Sequence, residues 1–342
     1  MRKQYLKFFY KSALLAFPVL IILGAYIYLD PFKVVRHYDS YYPPGTPSYV
    51  TLNRDYVSTQ TYLNNSKKYN YNAFIFGNST SRFYQINTWE KYIHTDNCFH
   101  FDAFNESLWG IYQKMKFLNK YHVTISYALI ILDNSTLSQI KEKTGHLFMS
   151  HPALIDGSWF SFELEFFKTF LSRDFFKAYC DFMITHKIKD YMKNDHLLND
   201  VPIEYIGKYN EMQFKHFDDL IKTDPAKFYT PKTMQFFYKR DTTYQKYWTK
   251  VISDTQHVML QEMADILKND KSQFKVVIGP LYNQLKIDST DLKALYAIFG
   301  KENVYDFSGI NSITNDFHNY YDNTHYRPPV ADYLMAKMYG NK

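Results

Sequence analysis

A chain of 342 residues can bury one large core or two modest ones, so a single α/β domain with an insertion fits as well as two domains. The net charge of +6 is local: residues 1–36 hold six Lys or Arg against one acid, Asp30, and the rest of the chain balances 34 basic against 33 acidic residues. A near-neutral body lacks the broad positive field that phosphate-backbone binding requires, which sets nucleic acid aside.

The first element is Ser12 to Leu29, SALLAFPVLIILGAYIYL, an uncharged and almost wholly apolar run. A helix of 18 residues rises about 27 Å, close to the ~30 Å hydrocarbon thickness of a bilayer. Basic residues precede the run and Asp30-Pro31 follows it, so the positive-inside rule predicts a cytoplasmic tail, a transmembrane anchor within residues 1–30 and an extracytoplasmic body. A cleaved signal peptide is the competing reading; the run ends in Tyr26, Ile27, Tyr28 and Leu29 rather than a small-x-small site, which favours retention. Residues 31–70, with PPGTP at 43–47, read as a linker or approach segment.

Residues 71–342 carry the core elements. Asn72 to Phe76 is a short apolar run, followed by a Gly-containing turn and a helical pattern over Tyr84–His94. Cys98 to Phe104 leads to a second helix over Ser107–Tyr121, and Val123 to Leu132 is the most strand-like stretch in the chain. A helix over Asp254–Lys268, a strand at Phe274–Ile278, a short strand near Asn303–Asp306 and a helix opened by Pro328-Pro329 complete the series. Strands alternating with helices predict a parallel sheet covered on both faces. From about 135 to 272 no strand stands out among helical patches, which reads as a helical insertion or lid. The 33 Tyr and 29 Phe, beside scarce Gly and Ala, are what an AT-rich genome produces whatever the function. Two cysteines, Cys98 and Cys180, are too few for a disulfide framework, and whether they are bridged does not follow from the sequence.

In an open parallel sheet ligands bind beyond the carboxyl ends of the strands, so FGNSTSR at 76–82, DNS at 133–135 and GPLYN at 279–283 matter most. Ser79 stands in the first of these turns, where its hydroxyl is exposed and its N–H can face a developing oxyanion; an ordinary helix N-cap is the plain alternative. A serine hydroxyl needs a base, and the base needs a third group to fix its tautomer. Asp322 and His325, in YYDNTHYRPPV, supply such a pair in D-x-x-H spacing, with a helix-capping loop as the alternative. Asp316, His318, Asp322 and His325 together form a rival constellation of metal-ligand types. Arg82 either binds an anionic substrate or is a solvated charge at a helix start. His94, His100, His122, His146 and His151 lack a motif.

FGNSTS after the first core strand and YDNTHY before the last helix resemble the SGNH, or GDSL-like, hydrolase family, over roughly residues 70–135 and 272–340. The resemblance implies a flavodoxin-like three-layer α/β fold with Ser79 as nucleophile, Asp322 as orienting acid and His325 as general base. It also implies an oxyanion hole from the Ser79 N–H, Gly110 in SLWGIY and Asn134 in LDNS. Two departures stand out: Asn78 replaces the aspartate of a GDS sequence, and the third block lacks a glycine before its asparagine. Membrane-anchored members that this chain is similar to work beside membrane-bound O-acyltransferases in alginate acetylation or teichoic-acid D-alanylation. The implied activity is acyl transfer to, or removal from, a cell-surface polysaccharide through an acyl-serine, with no cofactor. The alternative is a catalytically silent SGNH-like binding or assembly protein of a glycan-acylation system.

Overall fold

The computed structural model describes residues 2–44, 46–241 and 243–340. Helix α1 (Arg2–Leu29) leads into α2 (Arg54–Tyr69), and the first βα units follow: β1 (Ala73–Phe76), α3 (Ile86–Ile93), β2 (Cys98–His100), α4 (Leu108–Lys120) and β3 (Tyr127–Leu132). The insertion holds α5 (Asn134–Ser138), α6 (Pro152–Ile155), α7 (Trp159–Leu171), α8 (Arg173–Thr185), β4 (Glu204–Ile206), β5 (Glu211–Gln213), α9 (Lys215–Thr223), α10 (Pro225–Phe228) and α11 (Pro231–Met234). The chain closes with α12 (Asp254–Asn269), β6 (Gln273–Ile278), α13 (Ser289–Phe299), β7 (Val304–Asp306), α14 (Ser312–Asn315) and α15 (Pro328–Tyr339).

Five strands form one parallel sheet in the order β2-β1-β3-β6-β7. Strand side chains alternate between faces. Phe74, Phe76, Ala128, Ile130, Leu132, Val276 and Ile278 therefore face α4, α12 and α13, whose Met115, Leu118, Leu260, Leu267 and Leu295 complete one core layer. Ala73, Ile75, Leu129, Ile131 and Val277 face α3 and α15, meeting Trp89, Ile93, Leu334 and Met335. This is a three-layer α/β architecture compatible with a flavodoxin-like fold. The chain reverses direction across the sheet between β1 and β3, so the crevice at their carboxyl ends is the switch point where open sheets bind ligands.

The expected linker at 31–70 is half helix, and the reason is polar. α2 is capped by Asn53, whose side chain accepts the Tyr56 N–H at 2.9 Å, and it buries Arg54, Asp55, Ser58 and Thr59 beside Tyr56 and Val57. Arg54 is fully enclosed and grips Asp102 with two nitrogens at 2.7 and 3.1 Å. The insertion is not purely helical either: β4 and β5 form an antiparallel hairpin, and the His100 N–H donates to Tyr209 O at 2.9 Å, so the hairpin loop covers the edge strand β2. A third cluster joins Phe32, Val34, Tyr41 and Tyr56 to Phe166, Phe170 and Phe175 of α7 and α8.

Among the described residues no helix is long and apolar enough to cross a membrane. The span expected over 12–29 includes Ala13, Leu15 and Ala16, whose side chains lie outside the described residues. Cys98 and Cys180 are both free thiols.

Candidate active site

β1 ends at Phe76, and Gly77 then turns the chain with φ +155; a Cβ there would lie 2.9 Å from Ser81 Cβ and 3.0 Å from Ile131 Cβ. Only glycine lets the turn press this closely onto β3. Residues Ser79–Phe83 form a single 3-10 turn. Asn78 locks it: its amide nitrogen donates to Asp133 Oδ2 at 2.7 Å and Thr136 Oγ1 at 3.1 Å, and its Oδ1 accepts the Thr80 N–H at 2.9 Å. The residue that departs from a GDS sequence thus ties the β1 turn to the β3 turn across the switch point.

Ser79 Oγ lies 2.7 Å from His325 Nε2 although 246 positions separate them in sequence. His325 Nδ1 in turn lies 2.9 Å from Asp322 Oδ2. An ionised carboxylate only accepts, so Nδ1 carries the ring proton and Nε2 is left to accept from the serine. Burial, the largest influence on Asp322, raises its carboxyl; hydrogen bonds from the His325 ring and from the Thr324 and His325 N–H groups outweigh this and hold it below its ordinary value. The loop bearing the pair is fastened at several points. Tyr320 donates to Pro280 O at 2.7 Å, Tyr229 of the insertion donates to Tyr320 O at 2.8 Å, and Asp218 of α9 accepts from Arg327 Nε at 3.0 Å and from the Tyr321 hydroxyl. Phe83 meets the His325 ring edge-on, with centroids 5.9 Å apart.

Of the three oxyanion donors expected, the Ser79 N–H meets no acceptor among the described residues. Asn134 opens α5 directly after β3, partly exposed and with no side-chain hydrogen bond among the described residues. Gly110 is a correction. Its N–H donates to Ser107 Oγ at 2.9 Å, inside the N-cap of α4, and is not free to meet an oxyanion. The signal was present in the sequence, since a serine just before an apolar helical run is an N-cap signature.

The four residues of the rival constellation fall into two separate pairs. Among the described residues no group of three or more His, Cys, Asp or Glu can hold a metal ion. Asp316 pairs with His318 at 2.8 Å, apart from the Asp322–His325 pair. Arg82 is not a solvated charge. Its Nε donates to Ser79 O at 2.9 Å and its guanidinium lies over Phe104 at 5.0 Å and Phe214 at 5.2 Å. His151 is buried and His146 half-buried, and loss of hydration pushes each down to about 4. A cleft of about 560 Å³ lies among Tyr62, Asn70, Asn72 and Val123, at the amino ends of the strands and opposite the serine.

In comparisons with known proteins, no family model, curated protein or solved structure matches this chain, so the geometry carries the functional reading.

Proposed function

We propose that this chain is an SGNH-type serine enzyme, membrane-anchored and facing outward, that transfers an acyl group to or from a cell-surface polysaccharide. The observation that carries the reading is the hydrogen-bonded series Ser79–His325–Asp322 at the switch point of the sheet. Ser79 Oγ attacks the ester carbonyl while His325 Nε2 takes its proton, and the Ser79 N–H meets the oxyanion. His325 then returns the proton to the departing alcohol, leaving an acyl-serine. A sugar hydroxyl or water, deprotonated by the same nitrogen, releases the acyl group. Asp322 keeps the imidazole in the tautomer this needs and stabilises its charged form.

The anchor is supported by the apolar run at 12–29 and by α1 itself: Phe17, Val19, Leu20 and Ile21 are exposed, whereas Tyr26, near its end, is buried between Phe167 and Phe170 of α7. Such a helix is seated in the body at one end and presents apolar surface at the other. A membrane-bound O-acyltransferase is the partner that the resemblance implies, and the insertion, which sets Phe214 over Arg82 and ties Asp218 to Arg327 and Tyr321, is the element proposed to favour transfer over hydrolysis. One observation favours the silent alternative: the Gly110 N–H is already engaged.

A fluorophosphonate probe on the detergent-solubilised full chain separates the two readings. Labelling that disappears in Ser79→Ala, together with p-nitrophenyl acetate cleavage lost in the same variant, is the expected result. Absence of labelling in the parent protein sinks the enzymatic reading. Incubation with acceptor oligosaccharides and mass spectrometry of the sugars then distinguishes transfer from hydrolysis, and protease added to intact spheroplasts should digest the body.

A further inference from the structure

Arg54 and Arg82 are used in opposite ways. Arg54 is fully enclosed and fully engaged: Nε and Nη2 grip Asp102, and Nη1 donates to Asn210 Oδ1 at 2.9 Å. Arg82 spends one donor, Nε, on Ser79 O. Among the described residues its Nη1 and Nη2 meet no acceptor and it makes no ion pair. The carboxylates that influence it are committed elsewhere, Asp102 to Arg54 and Asp322 to His325. The side chain is partly exposed, and the rings of Phe83, Phe104 and Phe214 stand 5.7, 5.0 and 5.2 Å from the guanidinium carbon. Aromatic faces fix the plane of a guanidinium and exclude water, but they do not use its in-plane N–H donors.

We propose that Arg82 forms an anion subsite beside the nucleophile, in which Nη1 and Nη2 bind a carboxylate or phosphate oxygen that the substrate carries close to its reacting ester. The rings supply orientation and the fork geometry supplies selectivity for a planar or tetrahedral oxyanion. Burial, the dominant influence, lowers the guanidinium to about 10, with Asp102 opposing, so it stays charged at neutral pH. The role in turnover rests on the serine-enzyme reading above, whereas the binding does not.

The test is therefore made first on binding, with the full chain in detergent carrying Ser79→Ala. Tetragalacturonate, glycerol 3-phosphate and the neutral control maltotetraose are titrated by calorimetry. One anionic probe should bind about 10–100-fold more tightly than the control, the range expected for charge-assisted hydrogen bonds; whichever it is identifies carboxylate or phosphate as the group read. Adding Arg82→Met should erase the difference, and Arg82→Lys, which keeps charge without the fork, should retain part of it. Equal binding of all three probes, or an anion preference that survives Arg82→Met, overturns the subsite. If Arg82→Met does not fold, the parent protein's preference and its partial retention in Arg82→Lys decide the matter. With Ser79 restored, the ratio of kcat/KM for p-nitrophenyl hemisuccinate over p-nitrophenyl acetate should fall at least about tenfold in Arg82→Met and by less in Arg82→Lys. Anion binding without any ester cleavage would remove the enzyme reading and leave the subsite. Cleavage without charge preference would do the reverse.

Discussion

A carboxylate at position 78 would face Asp133 across the 2.7 Å now closed by an amide hydrogen bond, which is a physical reason for asparagine there. In Asn78→Asp one of the two acids must take up a proton or repel the other, so its folded pKa rises above the unfolded ~3.9. An acid raised on folding loses stability as pH rises through that interval. The variant should therefore melt near the parent temperature at the acid end and fall behind it at pH 7, by about 1–3 kcal/mol in chemical denaturation. Asp322→Asn separates position from tautomer. An asparagine Oδ1 still accepts the Thr324 and His325 N–H groups that Asp322 accepts at 2.7 and 2.9 Å, but its amide turned to Nδ1 favours the ring form that cannot take the serine proton. Ester cleavage should drop about 10³–10⁴-fold with little change in melting, measured under single-turnover conditions. Since the Asp322 carboxyl is held below its ordinary value, its contribution to stability is present above the unfolded pKa and lost only as pH falls through the folded one.

Arg54 on α2 and Asp102 after β2 illustrate how a helix is positioned by charge rather than by an apolar stripe. Asp102→Asn leaves the guanidinium enclosed with no counter-charge and should cost about 3–5 kcal/mol in urea denaturation. The same chemistry explains which elements can be read from the sequence. The strands at 72–76, 123–132 and 274–278 and the helices at 84–94, 107–121 and 254–268 announce themselves through apolar patterning and lie within a few residues of the expected bounds. α2 does not, because five of its eight buried residues are Arg54, Asp55, Ser58, Thr59 and Thr61, whose partners come from distant segments. The β4–β5 hairpin escapes for a similar reason: its buried strand holds Glu211 and Gln213, and Glu211 is satisfied by the Ile86 N–H. Around the serine, Ser79, Asp322 and His325 stand in recognisable turns. Phe104, Phe214 and Asp218 sit in segments whose place near Arg82 and the His325 loop is set by tertiary packing, with no local pattern to reveal it.

Across the whole molecule, the insertion and the closing segment meet beside the sheet's switch point, Tyr229 donating to Tyr320 O and Arg327 to Asp218. Ser79 lies near the start of the αβ core and His325 246 positions later. During synthesis at ~5–20 residues per second, that interval lasts roughly 12–50 s. Throughout it Ser79 exists without the His325 ring beside it. A chain stopped at residue 316 carries all seven strands yet lacks Asp322 and His325, and such a fragment should remain unlabelled by fluorophosphonate while the finished chain reacts. Separation of this kind acts as a safeguard of timing: under the serine-enzyme proposal, a growing chain carries no activated hydroxyl until His325 has emerged and folded back onto Ser79.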